Sequence, residues 1–283
     1  MVVNQATRKA VPADAPTPLD CVVYRPDEMP PLACLSGFPY FLLTIAHIQL
    51  GHFVWLRGMG FMGCVIYTAL TFAMVVLDGL VSPSLGKNVR TLRANGFGDW
   101  HTVSMMTLNG TSNVVMTWLV FQELCGEDAV TAIMFPSSYD AYKVGAIVAN
   151  MAMTEVLFYY AHKYLHEAIP KVHLMHHCVF APTHSSNFIF DPMDFAFELG
   201  MPTAFLFVNH FLLWQQDTTI LLASYILVQT FYALDHSDYL QLYHFKHHTR
   251  LDDVYTVYIK YRDPANTKLE AVRTIIQRPP KLA

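Results

Sequence analysis

Eight histidines in three short motifs are the residues of this 283-residue sequence best suited to chemistry. The first motif has the spacing HxxxH, and the second and third are both HxxHH. On a helix, residues three and four positions apart share one face, so each motif can direct two or three imidazoles at one point. Imidazole binds Fe, Zn, Cu and Ni, and eight nitrogens suffice for two ions with four each. The motifs comprise His162 and His166; His173, His176 and His177; and His244, His247 and His248.

Five further polar residues lie close to these motifs in the chain. His236 precedes the third motif, as a ninth metal ligand or as a hydrogen-bonded histidine at the membrane interface. His184 is predicted to support the ligands or to lie in a substrate loop rather than to bind metal. Glu155, two helical turns before the first motif, is predicted to orient an imidazole N–H, with a helix-packing hydrogen bond as the alternative. Asp191 and Asp194 either orient histidines or cap the following helix.

The elements that must position these residues are apolar helices. Hydrophobic residues make up 53% of the sequence and charged residues 14%, below the ~25% typical of soluble domains. A bilayer core takes about 20 apolar residues, and six segments approach that length: 38–56, 61–77, 103–122, 144–160, 195–214 and 218–234. The sequence predicts an all-α membrane protein of about six hydrophobic helices, with re-entrant hairpins as an alternative for some of them. A soluble protein with deeply buried helices is the other alternative.

The distribution of Lys and Arg predicts the orientation of these helices. Basic residues concentrate before the first segment and after the second, fourth and sixth, which favours three helical hairpins with both termini cytosolic. All three histidine motifs then lie on the cytosolic face. We divide the chain into a polar tail (1–35), transmembrane hairpins (36–142), a histidine-rich catalytic region (143–263) and a second tail (264–283). The net charge of −4 gives no case for nucleic-acid binding.

The order of the motifs carries a family resemblance. HxxxH, HxxHH, two hydrophobic segments and a second HxxHH resemble the fatty acid hydroxylase / sterol desaturase superfamily of integral membrane enzymes, over residues 154–263. The aromatic run Phe158-Tyr159-Tyr160 before the first motif is similar to the family pattern, and His236-Ser237-Asp238-Tyr239 resembles its His-Ser-Gly-Tyr. The chain departs from the family at Asp191-Pro192-Met193-Asp194, where many members have His-Pro-Leu-Glu.

The resemblance implies two non-haem Fe ions that use O2 to hydroxylate a C–H bond of a sterol or long-chain acyl lipid. It also implies residence in the endoplasmic reticulum, and electrons from a separate haem protein and its NAD(P)H reductase. A desaturase on the same scaffold is the first alternative, because the ligand sets are shared. A non-catalytic membrane protein with a structural metal site is a second. A metal transporter would place its ligands near the bilayer midplane, whereas these motifs are predicted at one face.

Overall fold

The computed structural model describes residues 31–82, 84–180, 182–237, 239–250 and 254–261. Over these ranges the chain is mostly helical, and none of the described elements is a strand. Most of the predicted N-terminal tail (residues 1–30) and all of the predicted C-terminal tail (264–283) lie outside the described residues. The fold therefore concerns the apolar helices and the histidine-rich region, and it is all-α as predicted.

All six apolar segments of the sequence are helical. Those at 38–56 and 218–234 have the predicted bounds, and the other four extend beyond them on one or both sides. The main helices are α1 Phe38–Leu56, α2 Gly60–Val81, α3 Ser84–Ala94, α4 Asp99–Trp118, α5 Gly126–Ile133, α6 Ala141–Ala168, α7 Leu174–His177, α8 Pro192–Leu213, α9 Thr218–Leu234 and α10 Tyr243–Arg250. A π-helical turn, Leu119–Cys125, continues α4, and two more, Ala196–Gly200 and Asn209–Leu213, lie within α8.

Within the described residues, α2, α6 and α8 are long and apolar enough to cross a membrane. Helix α9 is apolar but has only 17 residues. Helix α1 is continuous, but the polar residues His47, Gln49 and His52 interrupt its apolar sequence. Large apolar side chains on α2 and α8 face outward: Phe61 is 81% exposed and Leu212 is 73% exposed. Exposed apolar surface of this kind suits lipid contact, and three spanning helices are the part of the six-span prediction that the structure supports.

Glycines allow α1 and α2 to pack closely against each other. The turn between them uses Gly58 and Gly60 at φ values of 62° and 52°, which residues with a Cβ adopt only with strain. Further along the pair, Gly51 lies directly against the Tyr67 ring, so that a side chain there would collide with it. The two helices therefore form a tight hairpin beside the histidine-rich region.

A buried network of amide side chains joins α6, α8 and the start of α9. Asn150 donates from Nδ2 to Gln216 Oε1 at 2.8 Å and to Ser224 Oγ at 2.9 Å. Asn209 donates from Nδ2 to Asn150 Oδ1 at 2.9 Å. Hydrogen bonds between apolar helices stabilise one register against the alternatives. They fix the position of α6, whose last turns carry the first histidine motif.

Two polar side chains hold the loop that follows the second histidine motif. Asn109 of α4 donates from Nδ2 to the Phe188 carbonyl oxygen at 3.0 Å. Asp78 of α2 accepts from the Tyr40 hydroxyl at 2.8 Å, and from the amide and hydroxyl of Ser185. Asp78 is fully buried, and an acid at such a site needs partners of this kind. The loop is thereby fixed between α2, α4 and the histidine-rich region.

Candidate metal centre

The first histidine group brings together five side chains from three parts of the chain. It contains His162 and His166 from the end of α6, His173 from just before α7, His177 from α7 and His247 from α10. His166 Nε2 lies 3.1 Å from His162 Nε2, 3.0 Å from His177 Nε2 and 3.0 Å from His247 Nε2. His177 Nε2 lies 2.9 Å from His173 Nε2. The ring nitrogens thus converge on one point.

Hydrogen bonds among the imidazoles cannot account for this convergence. A ring nitrogen of neutral histidine offers either one proton or one lone pair. His166 Nε2 touches three other Nε2 atoms, so at most one of those contacts can be a hydrogen bond. Nitrogens bound about 2.05 Å from one ion are separated by about 2.9 Å at right angles and about 3.3 Å in a tetrahedron. The observed separations match a shared cation, so the donor set fits a metal ion.

The second histidine group lies beside the first. It contains His176 from α7, His236 just after α9, and His244 and His248 from α10. His176 Nε2 lies 3.2 Å from His244 Nε2 and 2.7 Å from His248 Nε2, while the last two are 3.1 Å apart. The His236 ring centroid is 4.9 Å from that of His248 and 5.3 Å from that of His176. The structure thus places His236 with the motif histidines as a candidate ligand.

Each HxxHH motif is divided between the two groups. Its first and last histidines, four positions apart, point to one group, and the middle histidine points to the other. The middle residue His176 belongs to the second group and the middle residue His247 to the first. Two short helices therefore hold the groups side by side, as a binuclear centre requires.

Hydrogen bonds at Nδ1 fix which nitrogen carries the proton in two of these rings. His162 donates from Nδ1 to the Tyr255 carbonyl oxygen at 3.3 Å. The Ser186 hydroxyl donates to the Thr183 carbonyl oxygen at 2.6 Å, so in its 3.3 Å contact with His236 Nδ1 it must accept. Both rings then present an unprotonated Nε2 to their group. A bare lone pair is the form in which imidazole binds metal.

Asp194 provides the carboxylate that orients His173. Its Oδ1 and Oδ2 lie 2.9 Å and 3.0 Å from His173 Nδ1, and both side chains are fully buried. Such carboxylate–histidine pairs hold the ring and raise its basicity as a ligand. Asp191 does not share this role, because its side chain accepts from the Met193 amide and caps the start of α8. The two predicted functions are therefore divided between the two aspartates.

Glu198 lies between the two histidine groups and was not predicted as a site residue. Its Oε1 is 3.5 Å from His162 Nε2 and 3.7 Å from His173 Nε2, while Oε2 is 3.6 Å from His176 Nε2. The side chain is 1% exposed, and Oε1 has no hydrogen-bond partner among the described residues. The carboxylate thus faces nitrogens of both groups, and it would be available to cations held by either group.

Burial keeps the histidines of the second group neutral. Burial first, and then the neighbouring imidazoles, lower the pKa of His176, His244 and His248 well below the ordinary value near 6.5. Burial likewise lowers the pKa of His236 to about 3. At neutral pH these rings carry no charge and keep the lone pair that a metal ion needs.

The structure corrects the predicted role of Glu155 and one of the two alternatives for His184. Glu155 does not orient an imidazole: its Oε1 accepts from the Tyr258 and Ile259 amides at 2.8 Å and 2.9 Å, which fixes the segment 254–261 against α6. His184 donates from Nδ1 to a backbone carbonyl and contacts His47 Nδ1 through Nε2, so neither nitrogen is left to support a ligand. It lines a cavity that Glu198 also lines, and its place in a substrate loop stays a prediction. Both residues instead hold the chain segments that surround the centre.

Aromatic rings close the centre off from water. Phe190 stacks on the His176 ring with centroids 4.1 Å apart, and Phe158 meets His162 edge-on at 5.4 Å. Tyr255, which is 1% exposed, lies against three rings of the first histidine group. Apolar surroundings of this kind control solvent access to a metal site.

Three residues that contact the centre, Glu198, Ser186 and Tyr255, were not predicted from the sequence. Only for Glu198 does the sequence indicate a functional role. Glu198 is an acid inside the predicted apolar segment 195–214, and an ionisable residue in such a segment has a functional role by default. It lies in the π-helical turn Ala196–Gly200, a distortion frequent at functional sites. Ser186 and Tyr255 gave no signal, because their contacts join positions 50 or more residues apart.

Comparison with protein-family models, curated proteins and solved structures finds no match to this chain. Side-chain geometry and the chemistry of the donor atoms therefore carry the functional argument.

Proposed function

We propose that this protein is a membrane-bound non-haem di-iron oxidoreductase that hydroxylates a C–H bond of a lipid. One observation carries the proposal: two groups of converging imidazoles lie side by side, with the buried carboxylate of Glu198 facing both. Imidazole and carboxylate donors suit iron as well as zinc, but zinc has no redox chemistry. Two histidine groups that face one carboxylate favour a centre whose ions would act together on one substrate.

Iron held by the nine histidines, with Glu198 between the two groups, would supply the activation of O2 when bound. Hydroxylation of R–H by O2 consumes two electrons and two protons and yields R–OH and water. The sequence contains no motif that binds haem or a nicotinamide cofactor, either of which would supply the electrons. A separate haem protein and its NAD(P)H reductase are the donors that we propose. The substrate class is a sterol or a long-chain acyl lipid.

The chain's own residues orient the ligands and exclude water. Asp194 holds the Nδ1 proton of His173, and the Tyr255 carbonyl oxygen holds that of His162. These bonds leave both Nε2 lone pairs directed inward. The rings of Phe158 and Phe190 cover the centre, and water exclusion strengthens every electrostatic contact inside it.

The membrane arrangement that we propose has six embedded helices, with α2, α6 and α8 as full spans and α1, α4 and α9 as shorter or more polar members. Both termini and both histidine groups face the cytosol, in the endoplasmic reticulum. The positive-inside distribution of Lys and Arg supports this orientation. The clustering of all ligands near the C-terminal end of α6 supports a centre at one membrane face.

The test is to purify the full chain in detergent and measure iron per chain, then oxygen uptake with reductase, haem carrier and candidate lipids. A product that gains one oxygen atom indicates hydroxylation, and one that loses two hydrogens indicates the desaturase alternative. The single variants His247→Ala and His176→Ala, one in each group, should each lose the metal of that group and all turnover, but both should still insert into membranes. Bound zinc without oxygen uptake on any lipid would refute the proposal and favour a structural metal site.

A further inference from the structure

An apolar groove runs between α2 and α4 on the outside of the bundle. Its cavity has a volume of about 240 Å³. Apolar residues and threonines line it, among them Phe72 and Val75 of α2 and Val103 and Met106 of α4. Phe72 and Val103 are about half exposed, so the groove opens on the same outward surface that carries the exposed apolar side chains of α2. Hydrocarbon can therefore enter it sideways from a bilayer.

The inner end of the groove adjoins a second, more polar cavity that reaches the metal centre. Phe188 lines both cavities, which therefore meet at its ring. The same two helices continue from one to the other, because Thr71 and Val114 line the groove while Tyr67 and Thr117 line the inner cavity. Glu198 is part of the inner cavity's wall. The groove and the inner cavity thus lie end to end, from the outer surface to the carboxylate between the two histidine groups.

Buried polar atoms without partners line the inner cavity. His52 Nδ1, Tyr232 Oη and Asp235 Oδ1 have no hydrogen-bond partner among the described residues, and all three side chains line this cavity. Each residue is at most 6% exposed. Buried polar atoms are rarely left unpaired, because each costs free energy. Their convergence indicates a ligand whose polar group lies here.

We propose that the groove binds a single hydrocarbon chain of a lipid, whose polar end occupies the inner cavity beside Glu198. A cavity of about 240 Å³ is smaller than the ~300–1,000 Å³ that enclose compact drug-sized ligands, so a slender chain fits it better than fused rings. The inference rests on the proposed function for its chemical consequence. Oxidation falls on a carbon near the polar end, because that end lies closest to the histidines.

Photocrosslinking tests the binding site without relying on turnover. The probe is a long-chain fatty acid with a diazirine on its alkyl chain, added to the full-length protein in phosphatidylcholine nanodiscs. We expect label in residues 68–75 and 103–114, displaced by excess unlabelled fatty acid. A diazirine alkane without the carboxyl group should label the groove at least about tenfold less, since it leaves the polar atoms of the inner cavity unpaired.

Gly110 offers a matched pair of variants. A Cβ at Gly110 would meet only Phe188 Cδ1, at 4.0 Å, so Gly110→Ala fits without strain. Gly110→Leu places a larger side chain in the groove. We expect Gly110→Leu to lower labelling by at least about tenfold, since displacing two buried methylene groups suffices for that factor. Gly110→Ala should label like the wild type, and both variants should keep the wild-type metal content.

The outcomes separate this inference from the proposed function. Label spread evenly over outward residues such as Phe61 and Val148, or full labelling of Gly110→Leu, would overturn the binding site even if the protein hydroxylates lipids. Displaceable label confined to the groove supports the site even in a preparation that takes up no oxygen. In that case the hydroxylase proposal fails and the lipid-binding site stands.

Discussion

Replacing Asp194 by asparagine tests whether the buried carboxylate tunes the first histidine group. Asp194 holds His173 Nδ1 through two oxygens at 2.9 Å and 3.0 Å, and neither side chain touches solvent. Asn is nearly the same size, so packing is retained while the negative charge is lost. The ring then loses the partner that fixes its proton on Nδ1 and raises the basicity of Nε2.

The expected loss follows from the strength of this contact. A buried hydrogen bond to a charged group contributes about 1.5–3 kcal/mol, and supporting carboxylates of this type change metal affinity about 10- to 100-fold. We therefore expect the first histidine group of Asp194→Asn to bind Fe²⁺ about 10- to 100-fold more weakly than that of the wild type. The assay is an anaerobic Fe²⁺ titration of metal-free protein against a coloured chelator. Binding by the second histidine group should stay near the wild-type affinity.

Asp191→Asn is the matched control, because it makes the same chemical change three residues away. Asp191 caps α8 by accepting from the Met193 amide at 2.9 Å and touches no imidazole of either histidine group. Asn caps helices about as well as Asp, so affinity and stability should both be retained. Equal losses in the two variants, or wild-type affinity in Asp194→Asn, would refute the proposed role of the carboxylate.

Three further predictions concern the centre and its support. His166→Ala and His248→Ala should each lower the bound metal from two equivalents to one, as measured by elemental analysis. Each variant removes a ring that contacts at least two other rings of one group. Loss of both ions from either variant would contradict separate sites. Burial lowers the pKa of His236 and His248 below the unfolded value near 6.5, so the folded metal-free chain binds fewer protons. The free energy of unfolding should be at its full value above about pH 6.5. Below that pH it should fall by up to about 1.4 kcal/mol per pH unit for each ring. Thermal unfolding in detergent checks this, and an unfolding temperature that does not change with pH would contradict it. Asp78→Ala should destabilise the fold by about 3 kcal/mol or more, against about 1 kcal/mol for Tyr40→Phe. Asp78 accepts three hydrogen bonds, and the Tyr40 hydroxyl donates only one of them. Equal unfolding temperatures for the two variants would argue against Asp78 as the residue that holds this loop.

Local sequence determined the helices and the chemistry of the donors. An uncharged apolar run predicts a helix wherever it occurs, and 38–56 and 218–234 have the observed bounds. The spacing of three and four residues likewise predicts that the imidazoles of one motif lie on one helical face. These properties depend on neighbours in the chain, so composition and periodicity are sufficient to read them.

Only the tertiary structure decided which imidazoles meet. Spacing places the histidines of an HxxHH motif on one face, but it cannot tell that His176 and His247 turn to different groups from their own neighbours. That division depends on where α6, α7 and α10 cross, and the contact of His166 with His247 spans 81 residues. Glu198 joins the centre for the same reason, since α8 packs against α6. Packing between distant segments sets these distances, and no short stretch of sequence contains them.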